Sequence, residues 1–150
     1  MTFIGATTTE SKQKALDQIY AQLRRDWQTV SRGDLVYFLG SADSVAMPPG
    51  KVLYRQGESV ETLYLLISGA VEELRFIDSD DEGETEDLSM REVGNGAWLG
   101  VYDLVYRNPH STSARTRGIC EMVTIPAKDM HRLLHQYPVL RNHLLPVARY

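Results

Sequence analysis

Few side chains in this sequence stand at spacings that do chemistry. His131 and His135 lie four residues apart, the helical spacing of a metal-ligand pair, but His-Arg-Leu-Leu-His lacks the glutamate of a zinc hydrolase. Arg115 and Arg117 flank Thr116 in a β-type run, which puts both cations on one face of a strand. An exposed strand face is the plain reading; a cation lent to a nearby site is the sharper one. Cys120 is the only cysteine, and it sits in an alternating run, Ile119-Cys-Glu-Met-Val. A lone core-strand thiol is usually inert. Trp27 and Trp98 read as packing residues. The chain has no His-x-His pair, which a cupin-type metal barrel would need, and no Walker loop or dinucleotide fingerprint. Nor is there a plausible Ser-His-Asp arrangement. Enzyme activity is not expected.

Charge is distributed unevenly. Seven acids (Asp78, Asp80, Asp81, Glu82, Glu84, Glu86, Asp87) fall within ten positions that hold no base. Of 20 acids, 13 then remain against 16 bases, so the rest of the chain carries +3 while the whole carries −4. The block reads as a solvated loop. It is not a calcium loop: Gly83 stands at the sixth position counted from Asp78, but Ser89 occupies the twelfth, where a glutamate is required. The bases do not cluster into a nucleic-acid surface. No run of about 18 apolar residues exists to span a membrane, and the N-terminus lacks the pattern of a signal peptide. With 150 residues, 43% hydrophobic content and one cysteine, a single soluble cytoplasmic domain is expected.

The elements follow from periodicity. Leu16, Ile19, Tyr20, Leu23, Trp27 and Val30 form one helical stripe, with Thr7 and Glu10 as a capping box and a further short turn of helix over 34–39. After Pro48-Pro49-Gly50 the texture changes to short β-type runs: 51–54, 62–67, 70–77, 88–93, 112–117 and 119–125. Ser68-Gly69 reads as a hairpin turn between two of them. The stretch 100–107 predicts one or two helical turns, and Met130, Leu133 and Leu134 predict a helix over 127–136 ended by Tyr137-Pro138. The class is mainly β: an antiparallel, jelly-roll-like β-roll with an N-terminal helical segment (1–44), the roll (45–126) and C-terminal helices (127–150), all one structural domain.

Four segments in order resemble the cyclic-nucleotide-binding domain family, the effector domain of catabolite-activator-type regulators. Pro49-Gly-Lys-Val-Leu-Tyr-Arg-Gln-Gly57-Glu58 is similar to its opening strands and glycine turn. Leu63-Tyr-Leu-Leu-Ile-Ser-Gly69-Ala-Val71 is similar to its hairpin, and Val93-Gly-Asn-Gly-Ala-Trp-Leu-Gly100 to the approach to its phosphate-binding cassette. Cys120–Ile125 and the helix after it complete a match over about residues 45–138. The resemblance implies a ligand cassette at Leu99, Gly100, Val101, Tyr102, His110, Ser111 and Thr112. It also implies a small-molecule effector: a cyclic nucleotide or another small anionic ligand.

Two positions depart from the family pattern. Val101 stands where the family has the glutamate that receives a ribose hydroxyl, and His110 where it has arginine. An unpaired hydroxyl in a pocket costs about 1–3 kcal/mol, and a charge-assisted phosphate contact contributes about 1.5–3 kcal/mol. The two losses together amount to about two to four decades of affinity. His110 is then either a weaker anion contact or a surface histidine at a loop-to-strand junction. The expected function is a regulatory, ligand-sensing domain without high affinity for cyclic AMP or cyclic GMP. The alternative is a ligand-free interaction module whose pocket Val101 and Tyr102 fill. Only twelve residues follow Pro138, too few for a DNA-reading helix pair. Val139, Leu140, Leu144, Leu145 and Val147 form one helical face interrupted at Pro146, which predicts packing onto the roll or a homodimer contact.

Overall fold

A computed structural model of the chain describes residues 40–78, 85–138 and 140, with positions 13, 17, 30, 31, 33, 34 and 37. The capping box, the stripe from Leu16 to Trp27, the tip of the acidic block and the C-terminal face beyond Leu140 lie outside the described residues.

Among the described residues, eight strands form two four-stranded sheets. One sheet holds β1 (Asp43–Met47), β8 (Cys120–Pro126), β3 (Thr62–Ser68) and β6 (Trp98–Leu99), in that order. The other holds β2 (Val52–Tyr54), β7 (Ser113–Thr116), β4 (Val71–Asp78) and β5 (Thr85–Val93). Every pairing is antiparallel. Apart from the β4–β5 hairpin, successive strands cross between the two sheets, the winding of a β-roll. Helix α1 (Val101–Val105) follows β6, and helix α2 (Ala127–Gln136) follows β8.

The sheet containing β3 and β8 is buried on both faces. Leu63, Leu65, Val123 and Ile125 pack with Met130, Leu133 and Leu134 of α2 and with Val101. Leu66, Cys120 and Met122 face the other way, into the roll, where they meet Tyr54, Val71, Val93, Leu99 and Ala114. Burial on two faces explains why Leu63–Ile67 is a continuous apolar run and not an alternating one. Each such side chain taken out of water stabilises the fold by about 1.5–3 kcal/mol. Leu140 is fully buried in the same cluster as α2, so the one described residue of the C-terminal apolar face packs inward.

Helix α2 spans 127–136 as its apolar spacing predicts, with His131 and His135 on its exposed side. Asp34 ties the N-terminal segment to the end of α2: it accepts hydrogen bonds from the Tyr137 hydroxyl and from Nε2 of Gln136 at 3.0 Å. The Tyr137 hydroxyl foremost, and then a hydrogen bond with Ser31, hold the Asp34 carboxyl below its usual range.

Three expectations need correction. Ser68-Gly69 is not a hairpin turn, because β3 and β4 belong to different sheets. It is the corner between them, where Gly69 has φ +112° and a Cβ would lie 2.8 Å from Sγ of Cys120 and 2.9 Å from the Ile119 carbonyl. Two strands went unforeseen: β1 is half-buried at every position and shows no alternation, and β6 is only two residues long. The acidic block is not wholly loop, since β5 begins at Thr85 and pairs it with Asp78, which makes Glu86 and Asp87 strand residues.

Candidate functional site

The cassette is built on Gly100 and α1. Gly100 adopts φ +93°, ψ −10° and begins the helix. A Cβ there would lie 3.1 Å from Cδ2 of Leu63 and 3.4 Å from Cε1 of His110, so the imidazole sits against the start of α1. After the helix, Arg107 turns the chain at φ +56°. The backbone N–H of Asn108 then donates to the Asp103 carbonyl at 2.8 Å, which brings Ser111 back over the helix.

Both donors of Ser111 are used internally. Its backbone N–H donates to Oδ2 of Asp103 at 2.9 Å and its hydroxyl to the same oxygen at 3.1 Å. Asp103 is only 7% exposed, and its Oδ1 has no hydrogen-bond partner. The carboxylate therefore occupies the donors that the sequence resemblance assigned to a ligand anion. Sequence reasoning missed Asp103; the signal available was an acid in the first turn of α1, eight residues before a serine.

His110 is neither a surface histidine nor an open anion contact. It is 3% exposed, and its ring stacks on Tyr54 with centroids 3.6 Å apart and planes 9° from parallel. Its backbone is clamped on both sides: its N–H donates to the Glu58 carbonyl and its carbonyl accepts from Gly57, each at 2.8 Å. Burial lowers the imidazole's pKa, and the nearby Asp103 and Glu58 carboxylates only partly oppose it, so His110 is neutral at pH 7. Its Nδ1 is buried without a partner. Thr112 hydrogen-bonds the Tyr54 hydroxyl, whose ionisation burial pushes far beyond the ordinary phenol range.

The other expected residues separate. Leu99 packs inside the roll and Val101 in the core against α2, with no exposed surface at Val101. Tyr102 points outward and pairs with Tyr106 at 4.7 Å between ring centroids. Val101 and Tyr102 thus do not fill the cassette: helical geometry turns adjacent residues about 100° apart, one inward and one out. Arg115 and Arg117 do not lend a cation to the site, since both bind Oε2 of Glu72, at 3.3 and 3.1 Å. Among the described residues no group of three metal-ligating side chains exists, at His131 and His135 or elsewhere.

Beside the Tyr54–His110 stack lies a cavity of about 500 Å³, lined in part by the segment between β2 and β3. Its walls include Tyr54, Glu58, Glu61, Thr62, Tyr64 and His110, and no lysine or arginine. The Tyr64 hydroxyl donates to the Leu53 carbonyl at 3.2 Å, leaving its oxygen free to accept. The Glu58 carboxylate accepts from the Arg55 N–H at 2.7 Å.

A family model described as "Cyclic nucleotide-binding domain" matches residues 44–137. Patatin-like phospholipase domain-containing protein 6 of Mus musculus is 26% identical over 103 residues, which are 69% of this chain and 7% of that protein. The chain thus spans a small fraction of the curated relatives it matches. The regulatory domain of Toxoplasma gondii PKA, solved with cAMP, superposes with a TM-score of 0.72 at 15% identity, over 95% of this chain and 51% of that one. The sensor domain of the transcriptional regulator DNR from Pseudomonas aeruginosa superposes with a TM-score of 0.69 at 22% identity, covering 92% of this chain and 88% of that one. At these identities the superpositions establish the fold. No helix of the described residues is long and apolar enough to cross a membrane.

Proposed function

This chain belongs to the cyclic nucleotide-binding domain family, and we propose that it is a regulatory, ligand-sensing domain that does not take cyclic AMP or cyclic GMP with high affinity. The observation that carries this reading is the Asp103 carboxylate on both donors of Ser111. A phosphodiester brought to the same donors meets a like charge at contact distance. At about 4 Å and an effective dielectric constant of about 20, that repulsion is about 4 kcal/mol. The cation that would offset it is missing, because His110 is neutral and stacked on Tyr54. The effect is of the same size as the loss inferred from Val101 and His110 alone, and it has the same sign.

Calorimetry with cyclic AMP and cyclic GMP tests the reading. Dissociation constants weaker than about 100 µM are expected, which corresponds to binding less favourable than about −5.5 kcal/mol. Micromolar binding of either nucleotide overturns it.

A second reading, the ligand-free interaction module, draws on the exposed Tyr102–Tyr106 pair on the outer side of α1. Alanine at both positions leaves a ligand sensor intact and abolishes association if those rings are a contact; light scattering of the wild type and the double variant separates the two readings.

A further inference from the structure

The cassette already holds an anion, the Asp103 carboxylate on the N–H and hydroxyl of Ser111. What it lacks is a cation, and His110 is placed to become one. Its ring stacks on Tyr54, its Cε1 lies against Gly100 at the start of α1, and its backbone is bonded on both sides to Gly57 and Glu58. Titratable groups face it from each neighbouring element: Tyr54 from β2, Glu58 from the segment after β2, and Asp103 from α1. Glu61 and Tyr64 line the same cavity, which no lysine or arginine lines. Glu73 of β4, near Tyr54, is bound by Arg91 of β5 at 2.8 Å. Among the described residues of this cluster, His110 is the one that can gain a positive charge.

We propose that the cassette takes a phosphodiester anion together with a proton on His110, so that acid switches its anion affinity on. The proposal rests on the reading above, in which the chain with a neutral His110 binds cyclic nucleotides weakly, and it names what regulates that weakness. A proton makes the ring a cation with two N–H donors. Oδ1 of Asp103, buried without a partner, is an acceptor in the same cluster. The new cation offsets the carboxylate that repels an arriving phosphodiester. In the free chain burial holds the proton off until the pH falls below the ordinary value of 6.5. A bound anion favours the charged ring and raises that value. Binding then takes up a proton, so affinity rises as the pH falls through the value in the complex and levels off below that in the free chain. One proton gives at most about tenfold per pH unit. A phosphodiester lacks the second ionisation that a phosphate monoester has near neutrality, so the ligand's own charge stays constant.

Calorimetry on the full chain with cyclic AMP tests the proposal, with adenosine as the uncharged control. Cyclic AMP affinity is expected to rise at least about fivefold between about pH 7.5 and about pH 5.5, while that of adenosine stays level. His110→Gln keeps a polar side chain that takes up no proton, and it is expected to flatten the profile. His131→Gln is expected to keep it, since His131 is exposed on α2 and meets Asp103 only across a separate cavity. Should His110→Gln fail to fold, or the wild type unfold at the lowest pH, proton uptake on binding at about pH 6.5 reads the same coupling. Titration in two buffers of different ionisation enthalpy measures it, and net uptake is expected. Cyclic AMP affinity that is level with pH, or no binding at any pH up to about 10 mM, overturns the proposal. So does a pH profile that persists in folded His110→Gln, vanishes in His131→Gln or is shared by adenosine, or binding without proton uptake. Those results leave the weak-binding reading standing. Micromolar cyclic AMP binding at about pH 7.5 is the separate result that removes it.

Discussion

Asp103 and Ser111 close the cassette on itself: one carboxylate oxygen receives both the backbone N–H and the hydroxyl of a residue eight positions later, at 2.9 and 3.1 Å. The bond pair fixes the loop after α1 and supplies from within the chain the negative charge that a phosphate would bring from outside. That closure and the histidine beside it are where changes in ligand choice and stability are expected.

Asp103→Asn with His110→Arg removes the internal anion and restores a cation. Cyclic AMP affinity is expected to rise at least about tenfold over the wild type, a change of about 1.4 kcal/mol. Calorimetry reads it directly, and no gain sinks the idea that Asp103 is what excludes the phosphate.

Val101→Glu, the substitution that would restore the family glutamate, is expected to destabilise the fold by about 3 kcal/mol or more. Val101 has no exposed surface and packs in the core cluster with Leu63 and Met130. A carboxylate there is an unpaired buried charge. Urea denaturation checks this; a loss under about 1 kcal/mol would mean the helix can turn residue 101 toward the pocket.

Tyr54 and His110 are expected to couple. In a double-mutant cycle with Tyr54→Leu and His110→Ala, an interaction of about 0.5–1.5 kcal/mol is expected from the stacked rings. Additive effects would show that the stack contributes only burial.

Stability is expected to fall as the pH drops below the unfolded histidine value of 6.5. The sign follows from the lowered pKa of His110: between its folded and unfolded values the unfolded chain binds more protons, so acid favours unfolding. The stability is present above 6.5 and lost as the pH falls toward the folded value. Burial, partly opposed by Asp103 and Glu58, sets the direction. The slope from this one group is at most about 1.4 kcal/mol per pH unit. Denaturation from about pH 7.5 to about 5.5 on the wild type and on His110→Gln isolates it. Identical slopes would mean that His110 keeps its ordinary pKa when folded.

Much of this fold was legible in the chain because it depends on local chemistry. The apolar run Leu63–Ile67 and the spacing of Met130, Leu133 and Leu134 are short-range patterns, and they placed β3 and α2 where the structure has them. Gly100 needed no tertiary information either, since a left-handed start to a short helix selects glycine. What tertiary structure alone decided is direction and partner. Whether Ser68-Gly69 reverses a hairpin or turns a corner between sheets depends on which strands pair, and pairing is a long-range choice. Val101 and Tyr102 are neighbours in sequence, but the packing of α1 against α2 determines that the first is core and the second surface. His110 looked titratable and accessible; stacking on Tyr54, 56 positions earlier in the chain, made it neutral and buried. The lining of a site is a sum over residues distant in sequence, so Glu58 and Glu61 came to stand with His110 around one cavity only once the chain folded.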